Sequence, residues 1–176
     1  MDSGPLKRRR QWVLDRQKLD AAIYLDAMAR YAGHVQIVTT AMGEVRRGVT
    51  ITAACSVSDN PPTVLVCLNN GNPNNAIFFE SGIFALNTLG AQMQPLSDAF
   101  SGRNSLTSEE RFSLGRWTTL VTGAPVLETA NVAFDCRVVD SKVTNTHTVL
   151  FGEVVAIHAG VRDEALIYLD RRYHTL

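Results

Sequence analysis

A chain of 176 residues, 45% hydrophobic and 19% charged, is long enough to bury a core of its own, and no apolar run approaches the roughly 18 residues of a membrane span, so a soluble single domain is expected. Seventeen basic residues balance seventeen acidic ones, which argues against a partner held through phosphate neutralisation and hence against nucleic acid. Cys55, Cys67 and Cys136 are odd in number, far apart and never spaced C-x-x-C, a usage that fits a reducing cytoplasm better than a disulfide framework.

Residues 1–15, with the run Lys7-Arg8-Arg9-Arg10, read as a mobile basic tail without the features of a secretory signal, and residues 16–176 as the folded domain. Leu19, Ile23 and Ala27 recur at four-residue steps beside Ala22 and Met28, predicting a helix with one apolar stripe that ends near Tyr31 and is capped by Gly33. From there the chain turns to short runs rich in Val, Ile and Thr, punctuated by Gly, Pro and Asn. Strands are expected at Val35–Thr40, Arg47–Ala54, Thr63–Leu68, Ile83–Leu89, Val132–Asp140, Thr146–Ile157 and Leu166–Leu169, the first two joined by a hairpin turn at Met42-Gly43-Glu44. Val132, Phe134, Cys136 and Val138 alternate with Ala133, Asp135 and Arg137, the pattern of a half-buried strand. Helical segments are expected after the asparagine cluster and near Pro95–Phe100, while residues 101–131 read as polar and irregular. The whole is one mainly β domain, a closed or nearly closed barrel.

The inventory of reactive groups is short. The four histidines, at 34, 147, 158 and 174, have neither H-x-x-x-H spacing nor nearby cysteine pairs, so no metal site is expected. There is no nucleophile elbow, Walker loop or G-x-G-x-x-G after a strand, and no nucleophile with its base. Such a chain can still be an enzyme if a bound cofactor carries the reaction.

The stretch CLNNGNPNNAIFFE places asparagine at 69, 70, 72, 74 and 75, ahead of a short helix that Asn74 or Asn75 would cap. Two readings stand. In one the amides shape turns; in the other their N–H groups and the helix end make an anion site without lysine, suited to a phosphate monoester. Upstream, GVTITAACSVSDNPP sets Thr50, Thr52 and Ser56 among the small residues Ala53, Ala54 and Cys55, which would let a flat ligand approach the backbone.

Taken in order, Gly48 to Pro62, the strand Thr63–Leu68, the spaced Asn72 and Asn74, and Phe84-Ala85-Leu86-Asn87-Thr88-Leu89 resemble the flavin reductase family with the FMN-binding split-barrel fold. The resemblance implies a homodimer of six-stranded antiparallel Greek-key split β-barrels with a few flanking helices, binding FMN or FAD, with NADH or NADPH as co-substrate. By position, Thr50, Thr52, Ala53, Ala54, Cys55 and Ser56 would line the ring and ribityl chain. Asn69, Asn70, Asn72, Asn74 and Asn75 would surround the phosphate, with Phe100 and Arg103 near the site. His147, where the family often carries Gly-Asp-His, and Tyr173 in the C-terminal tail would meet the nicotinamide nucleotide. No residue is expected to be catalytic itself, since the flavin carries the chemistry. The segment Tyr31 to Thr40, with polar His34 and Gln36, resembles the subset that reduces cob(II)yrinic acid a,c-diamide in cobalamin biosynthesis, which would add a corrin substrate and an adenosyltransferase partner. The alternatives are a general flavin reductase supplying an aromatic monooxygenase, and a non-catalytic flavin-binding protein.

Overall fold

The computed structural model describes residues 20–176, and the basic tail expected over residues 1–15 lies outside them. Asp20 starts the first helix, α1 (Ala21–Ala29), by accepting the Ala22 N–H at 2.8 Å. Its apolar stripe meets no core: none of its side chains is buried, and Ile23 and Leu25 are 62% and 61% exposed. Polar ties hold it instead, with Arg171 on Asp26 at 3.2 Å and the Asp170 N–H on the Ala29 carbonyl at 2.7 Å. Arg30, not Gly33, is the C-cap. Gly33 opens a two-residue strand, β1 (Gly33–His34), where a Cβ would stand 2.7 Å from that of Thr52.

The alternating segments then fold as expected: β2 (Gln36–Met42), β3 (Val45–Ile51), β5 (Pro62–Asn69), β6 (Ile83–Thr88), β9 (Val132–Val143), β10 (His147–Ala159) and β11 (Leu166–Leu169). The expected strand Arg47–Ala54 stops at Ile51, and after a corner at Thr52 and Ala53 an unforeseen strand, β4 (Ala54–Asp59), begins. Its sequence, ACSVSD, has no buried residue, because an edge strand needs no apolar face. β12 (Arg172–Thr175) was equally unforeseen and pairs with β11.

The main sheet thus has seven strands rather than six, in the order β3-β2-β6-β9-β10-β5-β4, every neighbouring pair antiparallel. Laid flat, its edges would be about 29 Å apart, at roughly 4.8 Å per strand. Yet the edge strands β3 and β4 are joined by two residues, which reach only about 10 Å. The sheet must therefore curl until its edges meet at Thr52–Ala53. Packing agrees: Val49 and Ile51 from one edge and Ala54 from the other lie against the same interior cluster of Val38, Val66, Leu68, Phe84, Leu86, Cys136 and Leu150.

A second core covers the outside of β2, β6 and β9. Residues 101–131 are not irregular. They form α4 (Ser108–Ser113) and the hairpin β7 (Trp117–Thr119) and β8 (Pro125–Leu127), which with α3 (Gln94–Phe100) bury Phe100, Phe112, Val126 and Leu127 against Ile37, Ala85 and Ala133. β9, expected to be half buried, is consequently covered on both faces at its start: Ala133 and Asp135 on one face and Cys136 on the other are all 0% exposed. The Asp135 carboxylate is satisfied there by the Val121 and Thr122 N–H groups, each at 2.8 Å, and by the Thr122 hydroxyl. Asn87 does similar work, donating to the Ile37 carbonyl at 2.9 Å and accepting the Leu127 N–H at 2.8 Å, so that the outer layer is bonded to the sheet.

Candidate functional site

The corner that closes the barrel also bounds a cavity of about 400 Å³, a size suited to a small-molecule site. Thr50, Thr52 and Ala53 line it together with Asn69, Asn72, Asn75 and His147, and with Cys67 and Ser101. Seven of the residues singled out from sequence therefore meet in one place, from three separate segments. Thr52 belongs to no strand ladder, and the Ala53 carbonyl accepts the Cys67 N–H at 3.0 Å. The Thr50 hydroxyl is committed, donating to the Ser97 carbonyl at 2.7 Å, so toward a ligand it can only accept.

Hydrogen bonding separates the five asparagines. Asn70 is structural, donating to the Thr144 carbonyl at 3.1 Å and accepting from the Thr148 hydroxyl at 2.8 Å. Asn74 is exposed and does not line the cavity. Asn75 is buried and donates to the Asn69 carbonyl at 2.9 Å. Asn69 accepts the Gly71 N–H at 2.7 Å and Asn72 the Asn74 N–H at 3.1 Å, so each Oδ1 is taken and each Nδ2 remains a free donor. The cap is thus Asn72, heading a 3-10 turn (Pro73–Asn75) that runs into α2 (Ala76–Ser81), and Asn75 makes no side-chain cap bond. The backbone amides expected to serve an anion are spent: those of Asn70, Gly71, Asn74, Asn75 and Ala76 all donate within the protein. What survives of the anion reading is the Asn72 backbone N–H and a pair of side-chain amides, Asn69 Nδ2 and Asn72 Nδ2.

A smaller pocket of about 170 Å³ shares Thr50, Ile51, Thr52 and Ser101 with the first and adds Arg103, Tyr168 and Tyr173. The two tyrosine rings stand edge to face, 5.2 Å between centroids. The Tyr173 hydroxyl donates to Asp98 at 3.0 Å and accepts from Ser97 at 2.9 Å, and Arg103 donates to the Tyr168 hydroxyl at 3.1 Å while facing Asp98 at 3.5 Å. Burial is the largest influence on the Tyr173 phenol and pushes its pKa up, with Asp98 adding and the Ser97 hydrogen bond opposing. Tyr168 was not foreseen as a site residue, and its only sequence signal was an aromatic in a C-terminal strand.

Other expected residues lie elsewhere. Ala54 packs on the inner core, and Cys55 and Ser56 are exposed on β4, outside the cavity. Phe100 is core, edge to face with Phe112 at 5.2 Å, and it lies where a Cβ on Gly48 would come within 2.5 Å. His147 and Tyr173, paired in the sequence reading, line different pockets. His34 donates from Nε2 to the Leu89 carbonyl at 3.0 Å, and neither it nor Gln36 lines either pocket. Among the described residues no group of three or more His, Cys, Asp or Glu side chains is arranged to hold a metal, and no helix is long and apolar enough to cross a membrane. A larger cavity of about 550 Å³, between Glu44, Arg46, Glu109 and Trp117, collects none of the expected residues, and the Trp117 N–H is spent on the Phe112 carbonyl. Convergence of the expected residues, not volume, marks the corner as the candidate site.

Residues 28–176 match the model of the flavin reductase like domain family. The chain is 44% identical over 174 residues to the FMN reductase (NADH) RutF of Ancylobacter novellus, covering 99% of this chain and 95% of that one. Among solved structures it resembles a protein described as a flavin reductase from Haemophilus somnus 129PT, with a TM-score of 0.86, 40% identity and coverage of 90% of this chain and 100% of that chain. It also resembles the styrene monooxygenase flavin reductase of Pseudomonas putida S12, with a TM-score of 0.76, 25% identity and coverage of 87% and 96%.

Proposed function

The chain belongs to the flavin reductase like domain family, and from that premise we propose that it uses NADH to reduce FMN and supplies the reduced flavin to a monooxygenase. It is an NAD(P)H:flavin oxidoreductase. The observation that carries the flavin-site reading is the meeting of Thr50, Thr52, Ala53, Asn69, Asn72, Asn75 and His147 around one cavity at the corner of the barrel.

Bound FMN would supply the redox chemistry, as the group that takes up hydride from the reduced nicotinamide. The protein's part is to bind and orient. Small Ala53 and the unladdered Thr52 leave backbone accessible to a flat ring, while Asn69 Nδ2 and Asn72 Nδ2 face the same cavity as donors for the phosphate. Arg103, Tyr168 and Tyr173, one pocket away across Thr52, offer an aromatic surface and a guanidinium to the second nucleotide, NADH. A pair of chains sharing the exposed apolar side chains of α1 and of the outer faces of β9 and β10, such as Ile23, Leu25, Val139, Val143 and Ile157, is the assembly this reading includes.

The corrin acceptor has less support. It rests on the likeness of the segment Tyr31 to Thr40, whose His34 and Gln36 would have to stand near the flavin; both are outside the cavity, while the relatives bear the names of FMN reductases and a monooxygenase component. Anaerobic titration with NADH in the presence of FMN tests the proposal. Stoichiometric loss of the flavin's visible absorbance is expected, and a protein that leaves the flavin oxidised would be a binding protein only. Sedimentation of the full chain at micromolar concentration tests the pair.

A further inference from the structure

We propose that the seam between α4 and the edge strand β3 binds a phosphate dianion, held between the guanidinium groups of Arg47 and Arg111. Neither arginine lines the cavity at the corner or the pocket beside it, so the site is independent of the flavin reading.

β3 ends the seven-stranded sheet, and α4 packs on it. The Ser108 hydroxyl donates to the Arg46 carbonyl at 2.7 Å, which fixes where the helix sits along the strand. Successive residues of a strand leave on opposite sides, and residues two apart on a helix point about 200° from one another. Arg46 accordingly lies over the Phe112 ring, 4.6 Å from its centroid, on the side where Glu44 and Glu109 line a cavity with it. Arg47 leaves β3 on the other side, and Arg111, two residues beyond Glu109, turns away from that cavity too. The two guanidinium groups come close enough that Arg111 adds to burial, the larger cause, in lowering the pKa of Arg47.

Two cations side by side call for a counter-charge, and the chain does not supply one. The ion pairs among the described residues are Arg30–Asp26, Arg171–Asp26, Arg103–Asp98 and Arg116–Glu128, which include neither Arg47 nor Arg111. Both arginines are only partly exposed, and in each the Nε–H is shut off from solvent with no hydrogen-bond acceptor. The carboxylates of α4 are placed elsewhere: Glu110 accepts from the Thr107 N–H at 2.7 Å and from its hydroxyl at 2.9 Å, and Glu109 lies with Arg46. A buried donor left unmet and a like-charge pair left uncompensated are both costly, and one oxyanion drawn between the two groups answers both. Guanidinium is suited to it, because its planar fork offers two parallel N–H groups to a phosphate, and a dianion carries one charge for each arginine.

Thermal unfolding of the full chain without flavin, at about pH 8, tests the proposal; phosphate, with a second pKa near 6, is then a dianion. Inorganic phosphate and glycerol 3-phosphate, exchanged for chloride at constant ionic strength, form two arms that tell a free ion from a monoester as the source. Half-saturation at about 1 mM is expected in at least one arm, with a rise in Tm of about 3–6 °C at about tenfold that concentration. Arg47→Gln and Arg111→Gln should each lose the saturable rise, read as the difference between melts with and without the anion, so that a change in baseline stability does not enter. Should one of the two fail to fold, the other decides. Asn72→Asp, which removes a donor from the corner cavity, should keep the rise. No saturable rise in either arm would overturn the proposal. So would a rise that persists in the arginine variants, the mark of a general salt effect, or one that Asn72→Asp abolishes, which would put the phosphate in the corner cavity. A protein that leaves FMN oxidised in the presence of NADH would refute the flavin reading and leave this site unaffected.

Discussion

Replacing Asn72 by aspartate changes one NH2 for one oxygen and so isolates what the free Nδ2 does. The side-chain oxygen that accepts the Asn74 N–H at 3.1 Å stays, and a carboxylate caps a helix start as well as an amide, so the 3-10 turn Pro73–Asn75 should keep its shape. A phosphate that received a hydrogen bond from Nδ2 loses about 1.5–3 kcal/mol with the donor, the range for hydrogen bonds to charged groups. It also meets a new negative charge. At about 4 Å that costs about 1 kcal/mol per charge pair in water and about 4 at a protein surface, and the half-exposed loop belongs nearer the lower figure. Together these amount to about 3–5 kcal/mol, or about two to three and a half orders of magnitude in the FMN dissociation constant at about 1.4 kcal/mol per decade. Riboflavin should change by less than about threefold, a few tenths of a kcal/mol. Asn74→Asp, on an exposed neighbour outside the cavity, should leave the FMN/riboflavin ratio nearly unaltered at physiological salt. Fluorescence titration of both flavins into the three proteins decides the matter. If Asn72→Asp weakens the two ligands equally, or leaves FMN within about threefold of native, then Asn72 does not face the phosphate.

Three further outcomes are expected. Cys55 is exposed and should alkylate quickly at about pH 8; Cys67, raised in pKa first by burial and then by Cys55, should react more slowly and be further protected by FMN, because it lines the cavity; and buried Cys136, pushed up to about 12, should not react, all read by peptide mass spectrometry. Gly152→Ala would place a Cβ 2.4 Å from Phe84 Cζ and 2.8 Å from Cys136 Cβ, so denaturant unfolding should show a loss of about 1–3 kcal/mol, the cost of overpacking a filled core, with flavin affinity unchanged in the folded fraction. The raised pKa of Tyr173 means the folded protein keeps a proton that the unfolded chain gives up near pH 10, so its contribution is present below about pH 10 and lost as pH rises through the folded value. Tyr173→Phe should accordingly reduce the alkaline loss of stability, followed by thermal melts from about pH 9 to 11, and an unchanged alkaline slope would assign that loss to other groups.

The strands were legible because each alternates or runs apolar against a core, and period two survives in Val64–Leu68 whatever the tertiary setting. What escaped was structure whose stability comes from elsewhere. β4 is held by its ladder to β5 and turns only Ala54 toward the core, so ACSVSD carries no hydrophobic period. α4 and the β7–β8 hairpin are short and polar outside, and their few anchors, Phe112, Val126 and Leu127, are too sparse to show a period. Conversely, the clear helical stripe of α1 promised burial that one chain does not provide.

The site was legible as a set of segments and illegible as a set of roles, for a reason visible in the asparagines. Sequence gives every asparagine the same two donors and one carbonyl, and only the partners chosen by the fold decide which remain for a ligand. The Thr144 and Thr148 partners of Asn70 come from the β9–β10 hairpin, more than seventy residues away, and the Asn69 carbonyl that engages Asn75 lies at the end of a different strand. His147 makes the same point. Its place beside Asn69 follows from the register of β10 on β5, which a one-residue slip would reverse by turning the imidazole to the other face of the sheet. Register in turn is fixed by the alternation of Leu150, Val66 and Leu68 toward the barrel interior. Which side chains line the cavity at the corner is therefore set by apolar residues of the barrel interior.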